Sequence, residues 1–301
     1  MTSRRYLQLD VFADRAGAGN PLAVVLDTDG LDDAAMQAIA RWTRLPETTF
    51  VFAPASPEAS YAIRIFSPRR EVPFAGHPSV GTAHAVLEWG FATARDGRLW
   101  QQGTAGLLPL SVAGHGTTRS IAVRTPRARV LETTTVADPR LRHALRGLAL
   151  ADAPIALVDG GRRWWLVSLR DESAVRTAQP FWGAISSLAK NSDSMGVFIH
   201  ARADAGKDYD LAVRAFVGAP AQFEDAASGA ANATLAAWLA SQDALPGHGG
   251  RYRVSQGREV GFDARLELHV DDDGEVWSGG RVVTVLRGML DWTLDGPPCD
   301  P

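Results

Sequence analysis

Arg64-Ile65-Phe66-Ser67-Pro68, followed by Glu71-Val72-Pro73-Phe74-Ala75-Gly76-His77-Pro78-Ser79-Val80-Gly81-Thr82-Ala83, decides how this chain is read. Tyr61 to Phe66 alternates and reads as a strand. Pro73 to Pro78 breaks the chain, and a helix is predicted from about Pro78 to Trp89. Proline suits the first helical position, where its missing N–H costs nothing. A second stretch repeats the pattern: Arg214-Ala215-Phe216, a loop, the corner Glu224-Asp225-Ala226-Ala227-Ser228-Gly229, then an Ala-rich helix ending near Leu239. Arg64 to Gly76 is a step of 12 and Arg214 to Gly229 a step of 15, so the repeat is imperfect. Two similar β-rich domains, each with one buried central helix, explain it. Strand–turn–helix units are common, so coincidence is the competing reading.

Around these two units the remaining elements read as follows. Residues 5–12 and Pro21–Leu26 are predicted strands. Asp32 or Asp33 starts a helix with Met36, Ile39, Ala40 and Thr43 on one face. Thr48–Phe52 is β-branched and aromatic, hence a strand. Short strands are expected over most of 97–135, a helix over Leu141–Leu150, and strands at Ile155–Val158 and Trp164–Leu169. A helix follows over Phe181–Lys190, then strands at Gly196–Ala201 and Leu211–Phe216. The last strands are Tyr252–Ser255, Ala264–Val270, Gly274–Ser278 and Arg281–Arg287. No low-complexity linker separates the halves, and the boundary is placed near residues 120–130.

The chain has 301 residues, 46% of them hydrophobic and 22% charged, with a net charge of -3. That is enough apolar material for two cores of ordinary size. There is no basic excess to neutralise a phosphate backbone, so nucleic acid is not an expected partner. No stretch approaches the roughly 18–20 apolar residues that span a bilayer, and a membrane partner is not expected either. Arg4 and Arg5 lack the apolar run of a signal peptide, so a cytoplasmic location is the default expectation. The sole thiol, Cys299, lies in a tail and reads as incidental; one cysteine excludes a two-thiol acid/base mechanism.

The chemistry rests on two helix starts, Gly76-His77-Pro78-Ser79 and Ala227-Ser228-Gly229-Ala230. Leading helix N–H groups have no internal partner and carry the positive end of the macrodipole. Small residues let a carboxylate approach them. Two such ends facing each other would grip a carboxylate and stabilise an enolate-like intermediate. Gly76, Ser79, Ser228, Gly229 and Ala230 are therefore candidate substrate-binding residues; the alternative is that the small residues merely permit tight packing. Glu47 opens an apolar strand in Leu45-Pro46-Glu47-Thr48-Thr49-Phe50-Val51. Burial there would raise its pKa and make it a better base toward a carbon acid; an exposed turn glutamate is the plainer reading. His77 could donate to the substrate or act as a second acid/base, or simply bond a loop carbonyl. His84 is expected to be packed or satisfied rather than a metal ligand. Asp225 either caps the second helix or bonds a substrate amine or hydroxyl. Gly17-Ala18-Gly19-Asn20-Pro21-Leu22 is not a dinucleotide fingerprint, because a strand follows where a helix is needed. No phosphate-binding loop, nucleophile elbow or zinc pattern is present in the sequence.

These residues together resemble the phenazine-biosynthesis isomerase (PhzF-like) family, related in fold to diaminopimelate epimerase. The markers span nearly the whole chain: Asp10-Val11-Phe12, Gly19-Asn20-Pro21-Leu22-Ala23-Val24-Val25, Met36-Gln37-Ala38-Ile39-Ala40, Pro46-Glu47-Thr48-Thr49-Phe50-Val51 and the opening stretch. Later come Phe223-Glu224-Asp225, Ser255-Gln256-Gly257 and Gly279-Gly280-Arg281-Val282-Val283. The resemblance implies an α+β fold of two similar mixed β-barrel-like domains, each around a central helix, with the site between them. The domains are expected at 1–122 and 123–301, the last strand returning to the first domain. It further implies no metal or cofactor, a homodimer, and a glutamate that takes a proton from one carbon and returns it to another. Carried over, the catalytic residues are Glu47, His77 and Asp225, with Gly76, Gly229 and Ala230 lining a carboxylate site through their backbone. In the phenazine enzyme the substrate is a dihydro-hydroxyanthranilate. Two departures stand out: Pro46 where the family usually has Ser or Asn, and Ala230 where it often has Ser. They leave open a non-catalytic carboxylate binder, or an epimerase of an amino-acid derivative, beside the isomerase reading.

Overall fold

The computed structural model describes residues 2–293, so Cys299 lies outside the described residues. These divide into two compact units: 2–16, 20–121 and 281–293 in the first, 17–19 and 122–280 in the second.

The first unit holds β1 (Thr2–Val11), β2 (Asn20–Val25), α1 (Asp33–Thr43), β3 (Glu47–Phe52), β4 (Tyr61–Phe66), β5 (Glu71–Val72), α2 (Gly76–Glu88), β6 (Arg98–Gly103) and β7 (Gly106–Ala113). β8 (Ser120–Arg124) leads into the second unit, which holds β9 (Arg129–Thr134), β10 (Ile155–Asp159), β11 (Arg163–Ser168), α3 (Glu172–Thr177) and α4 (Trp182–Asn191). It continues with β12 (Gly196–Arg202), β13 (Leu211–Val217), β14 (Phe223–Asp225), α5 (Gly229–Ser241), β15 (Arg251–Gln256) and β16 (Ala264–Val270). The long β17 (Val276–Trp292) pairs with β16 through residues 276–279 and with β1 through residues 282–292.

The two units repeat one pairing scheme. In the first, β1–β2 is antiparallel, β2–β3 parallel and β3–β4 antiparallel; β4 then takes β5 antiparallel and β6 parallel, and β6–β7 is antiparallel. In the second, β10–β11, β11–β12, β12–β13, β13–β14, β13–β15 and β15–β16 follow in the same order with the same directions. A parallel pair needs a crossover connection; α1 and then α2 supply the two in the first unit, α3 with α4 and then α5 the two in the second. Each unit wraps one central helix, while α1 packs outside on β3 and β4 and α3 and α4 pack on β12 and β13. α2 lies against β1, β2, β3 and β6, and α5 against β10, β11 and β16. Both are buried nearly all round, so neither shows the apolar stripe of a surface helix. Gly81 admits this packing, since a side chain there would meet Leu22 and Val11.

The repeat extends to side chains. Arg64 forks onto Glu71 (Nε–Oε1 2.8 Å, Nη2–Oε2 2.6 Å) and lies 5.1 Å from the centre of the Phe66 ring. Arg214 forks onto Glu224 (2.9 and 2.7 Å) and lies 4.8 Å from that of Phe216. Register carries the equivalence further. Phe66 faces Thr48 and Phe216 faces Val197, so one residue earlier Glu47 corresponds to Gly196. Gly196 sits at φ +150°, and a Cβ there would run into the Phe216 carbonyl.

Several expectations need correction. Leu141–Leu150 forms successive turns rather than a helix: only Leu145 reaches back four residues, to Leu141, while Arg146 and Leu148 reach back three. Leu141, Ala144 and Leu145 are buried at helical spacing all the same, which is why the stretch imitates one. α3 is absent from the sequence-based expectations; it is six residues long, and its signal is the Asp171 cap, which accepts from the Ala174 N–H at 2.7 Å. The expected strands Gly274–Ser278 and Arg281–Arg287 merge into one, β17, which begins only at Val276. α2 begins two residues before Pro78, which still falls within the first turn, where its missing N–H leaves nothing unsatisfied.

Candidate active site

Glu47 is the first residue of β3, opposite Leu22 of β2, and its side chain is 16% exposed. His77 is the second residue of α2, and its side chain is 8% exposed. Their closest atoms, Glu47 Oε2 and His77 Nε2, are 3.3 Å apart. A hydrogen bond between Thr49 and Thr82 (Oγ1–Oγ1 2.8 Å), both fully buried, ties β3 to α2 just beyond this pair. Burial pushes the His77 imidazolium down to about 3, so the ring is neutral at physiological pH. Nε2 of that ring has no hydrogen-bond partner among the described residues.

The start of α2 is uncapped. Ala75 is the N-cap and has no side-chain acceptor, and neither the Gly76 nor the His77 N–H donates to any described residue. Pro78 has no N–H to satisfy. Ser79 is fully buried and internally engaged: its hydroxyl donates to the Ala75 carbonyl (3.0 Å) and accepts from Gln101 Nε2 (3.1 Å). The helix end thus presents two adjacent donors next to a buried carboxylate–imidazole pair.

The second unit carries the remaining candidates. Ser228, not Asp225, caps α5, accepting from the Ala231 N–H at 3.3 Å. That leaves the Gly229 and Ala230 N–H groups without an acceptor among the described residues. Asp225 ends β14 and accepts from the Ala227 N–H at 3.2 Å. So the structure joins Glu47 and His77 within one unit, beside the Gly76 donor, and gathers Asp225, Ser228, Gly229 and Ala230 at one corner of the other. Gln256, fully buried at the end of β15, bonds to this corner and is not among the site residues the sequence suggests; its only signal is the marker Ser255-Gln256-Gly257. His84 is held by Glu88 (2.8 Å) and Thr284 (3.1 Å). No cluster of three His, Cys, Asp or Glu side chains that could hold a metal occurs among the described residues, and no described helix is long and apolar enough to cross a membrane.

A family model, phenazine biosynthesis-like protein (PhzC-PhzF), matches residues 9–288. The chain belongs to the phenazine biosynthesis-like family. Antisense-enhancing sequence 1 of Schizosaccharomyces pombe is 32% identical over 297 residues, covering 96% of this chain and 99% of that protein. Trans-2,3-dihydro-3-hydroxyanthranilate isomerase of Pseudomonas aeruginosa is 32% identical over 272 residues, covering 90% and 92%. A PhzF-family phenazine biosynthesis protein of Bacillus anthracis shares the fold, with a TM-score of 0.81 over 97% of this chain and all of that one, at 23% identity. With relatives so named at this coverage, the protein is an isomerase of the PhzF-like family.

Proposed function

We propose that this PhzF-like isomerase moves a proton between two carbons of a small carboxylate substrate, with Glu47 as the acid/base. The observation that carries the reading is the Glu47–His77 pair at the uncapped start of α2. The Glu47 carboxylate takes a proton from an acidified carbon, leaving an enolate-like anion. N–H donors aimed at such an anion stabilise it as its charge develops, because they need no reorganisation. The neutral imidazole of His77 donates a hydrogen bond rather than carrying charge, so it supports the anion without neutralising Glu47. The resulting Glu47 carboxylic acid then returns the proton to a second carbon. No other group is needed for the proton balance.

Asp225, Gly229 and Ala230 are assigned to substrate binding, Gly229 and Ala230 through their N–H groups and Asp225 through an amine or hydroxyl of the substrate. Ser79 and Ser228 serve these helix starts by ordering them. The Pseudomonas relatives point to a dihydro-hydroxyanthranilate as the first compound to try. A second copy of this chain is the proposed partner; Val285, Leu286 and Met289 of β17, each about half exposed, offer apolar surface for it. The deciding experiment follows deuterium from solvent into trans-2,3-dihydro-3-hydroxyanthranilate by mass spectrometry. Label entering a carbon position supports the reading. Saturable binding with no label at any pH would replace it with a binding protein.

A further inference from the structure

We infer that Gln256 is a positioning residue that sets the substrate-binding corner of the second unit. The inference rests on the proposed assignment of Asp225, Gly229 and Ala230 to the substrate. Gln256 closes β15 and is fully buried. Its Oε1 accepts from the Ser228 N–H (3.2 Å) and from Asn232 Nδ2 (2.9 Å), while its Nε2 donates to the Asp225 carbonyl (3.0 Å). Asn232, also fully buried, completes the clasp by donating to the Ser228 carbonyl at 2.9 Å. One side chain therefore fixes the backbone on both sides of the corner, at Asp225 and at the cap of α5. The next residue, Gly257, presses on the same corner, and any Cβ there would strike the Ala226 carbonyl.

The first unit supplies an independent instance. Gln101 of β6, 2% exposed, donates to Ser79 Oγ, which in turn bonds the Ala75 carbonyl at the start of α2; Tyr61 Oη donates to Gln101 Oε1 at 3.3 Å. β6 and β15 occupy the same place in the repeated pairing scheme, each parallel to the strand that carries the Arg-x-Phe arm. In both units a buried glutamine from that strand braces the first turn of the central helix. A carboxylamide suits the task, because it donates and accepts at once without a charge to desolvate.

Two variants of the full chain test this, Gln256→Leu and Gln256→Glu. The second keeps the size and the accepting oxygen and carries the test if the first fails to fold. Amide hydrogen exchange over residues 225–232 should quicken at least tenfold in each, while residues 76–83 keep their wild-type rates. With trans-2,3-dihydro-3-hydroxyanthranilate as the probe, KM should rise at least tenfold and kcat stay within threefold. Groups that grip a substrate carboxylate hold the ground state and the transition state alike, so loosening them shows in KM. A merely structural defect would lower kcat through lost active protein and leave KM alone. Unchanged exchange at 225–232, or a kcat loss with unchanged KM, overturns the inference. Glu47→Gln serves as the control: it should abolish turnover and leave exchange at 225–232 untouched. If Glu47→Gln stays active, the acid/base assignment fails, while the role of Gln256 still stands or falls on its own exchange rates and KM.

Discussion

His77 Nε2 stands 3.3 Å from Glu47 Oε2, though the two residues are thirty positions apart in the chain, and both side chains are largely withdrawn from water. The contact is local chemistry produced by long-range structure. β3 delivers the carboxylate, the first turn of α2 delivers the ring, and the Thr49–Thr82 bond holds strand to helix.

Replacing Glu47 with Gln removes the proposed proton carrier while keeping shape. General acid/base groups are typically worth about 10²–10⁴ in rate. Deuterium incorporation should fall by roughly 10³ or more, with circular dichroism and the unfolding midpoint close to wild type. Full exchange activity in this variant would end the proposed role.

Acid should weaken the fold through its buried imidazoles. Burial lowers His77 to about 3 and His200 to about 4, both below the ordinary histidine value of 6.5. Between those limits the unfolded chain binds more protons than the native one, so stability is fully present above about pH 6.5 and is lost as pH falls. Each such histidine contributes a slope of about 1.4 kcal/mol per pH unit across this window. Urea unfolding at pH 7, 6 and 5 should show the decline, and His200→Asn should flatten it by one histidine's share.

The two arginine forks predict unequal losses. Arg214 and Glu224 side chains are 6% and 5% exposed, and Arg214 also bonds the Val175 and Ala178 carbonyls. Arg214→Met leaves a buried carboxylate uncompensated, at a cost of about 3–5 kcal/mol. Arg64 and Glu71 are 29% and 33% exposed, and Arg64→Met should cost no more than about 1 kcal/mol. Denaturant midpoints of the two variants give the comparison directly; equal losses would contradict it.

Ala230 has room for a test by gain. It lies in the first turn of α5, partly exposed, beside N–H donors that have no acceptor among the described residues. A hydroxyl bonded to a charged group is worth about 1.5–3 kcal/mol. Ala230→Ser should therefore lower KM for a carboxylate substrate roughly tenfold or more. An unchanged KM would remove Ala230 from the carboxylate site.

How much can be read from residues alone differs by length scale. The repeat is legible because Arg-x-Phe, a corner and a small-residue helix recur in order. The Asp32 cap and the Met36–Ile39–Ala40 face of α1 are legible because helical signals are local. Candidate residues at the helix starts can be named for the same reason. What stays hidden is pairing at a distance. Nothing near Glu47 announces His77, and nothing near Asp225 announces Gln256. Local reading also misjudges the roles of polar side chains: Asp225 looks like the cap of α5, but Ser228 takes that bond and leaves Asp225 one turn outside the helix. The 141–150 stretch misleads in the opposite direction, since apolar spacing of 3 and 4 reports burial, and turns can bury leucines as well as helices can.

Gly196 makes the duplication chemically lopsided. The strand position that bears a carboxylate in one half is occupied in the other by a residue that tolerates no side chain, so a matching second acid is barred by the neighbouring backbone rather than merely missing. In the proposed mechanism Glu47 is the one proton carrier, so departure and delivery would share one face of the substrate.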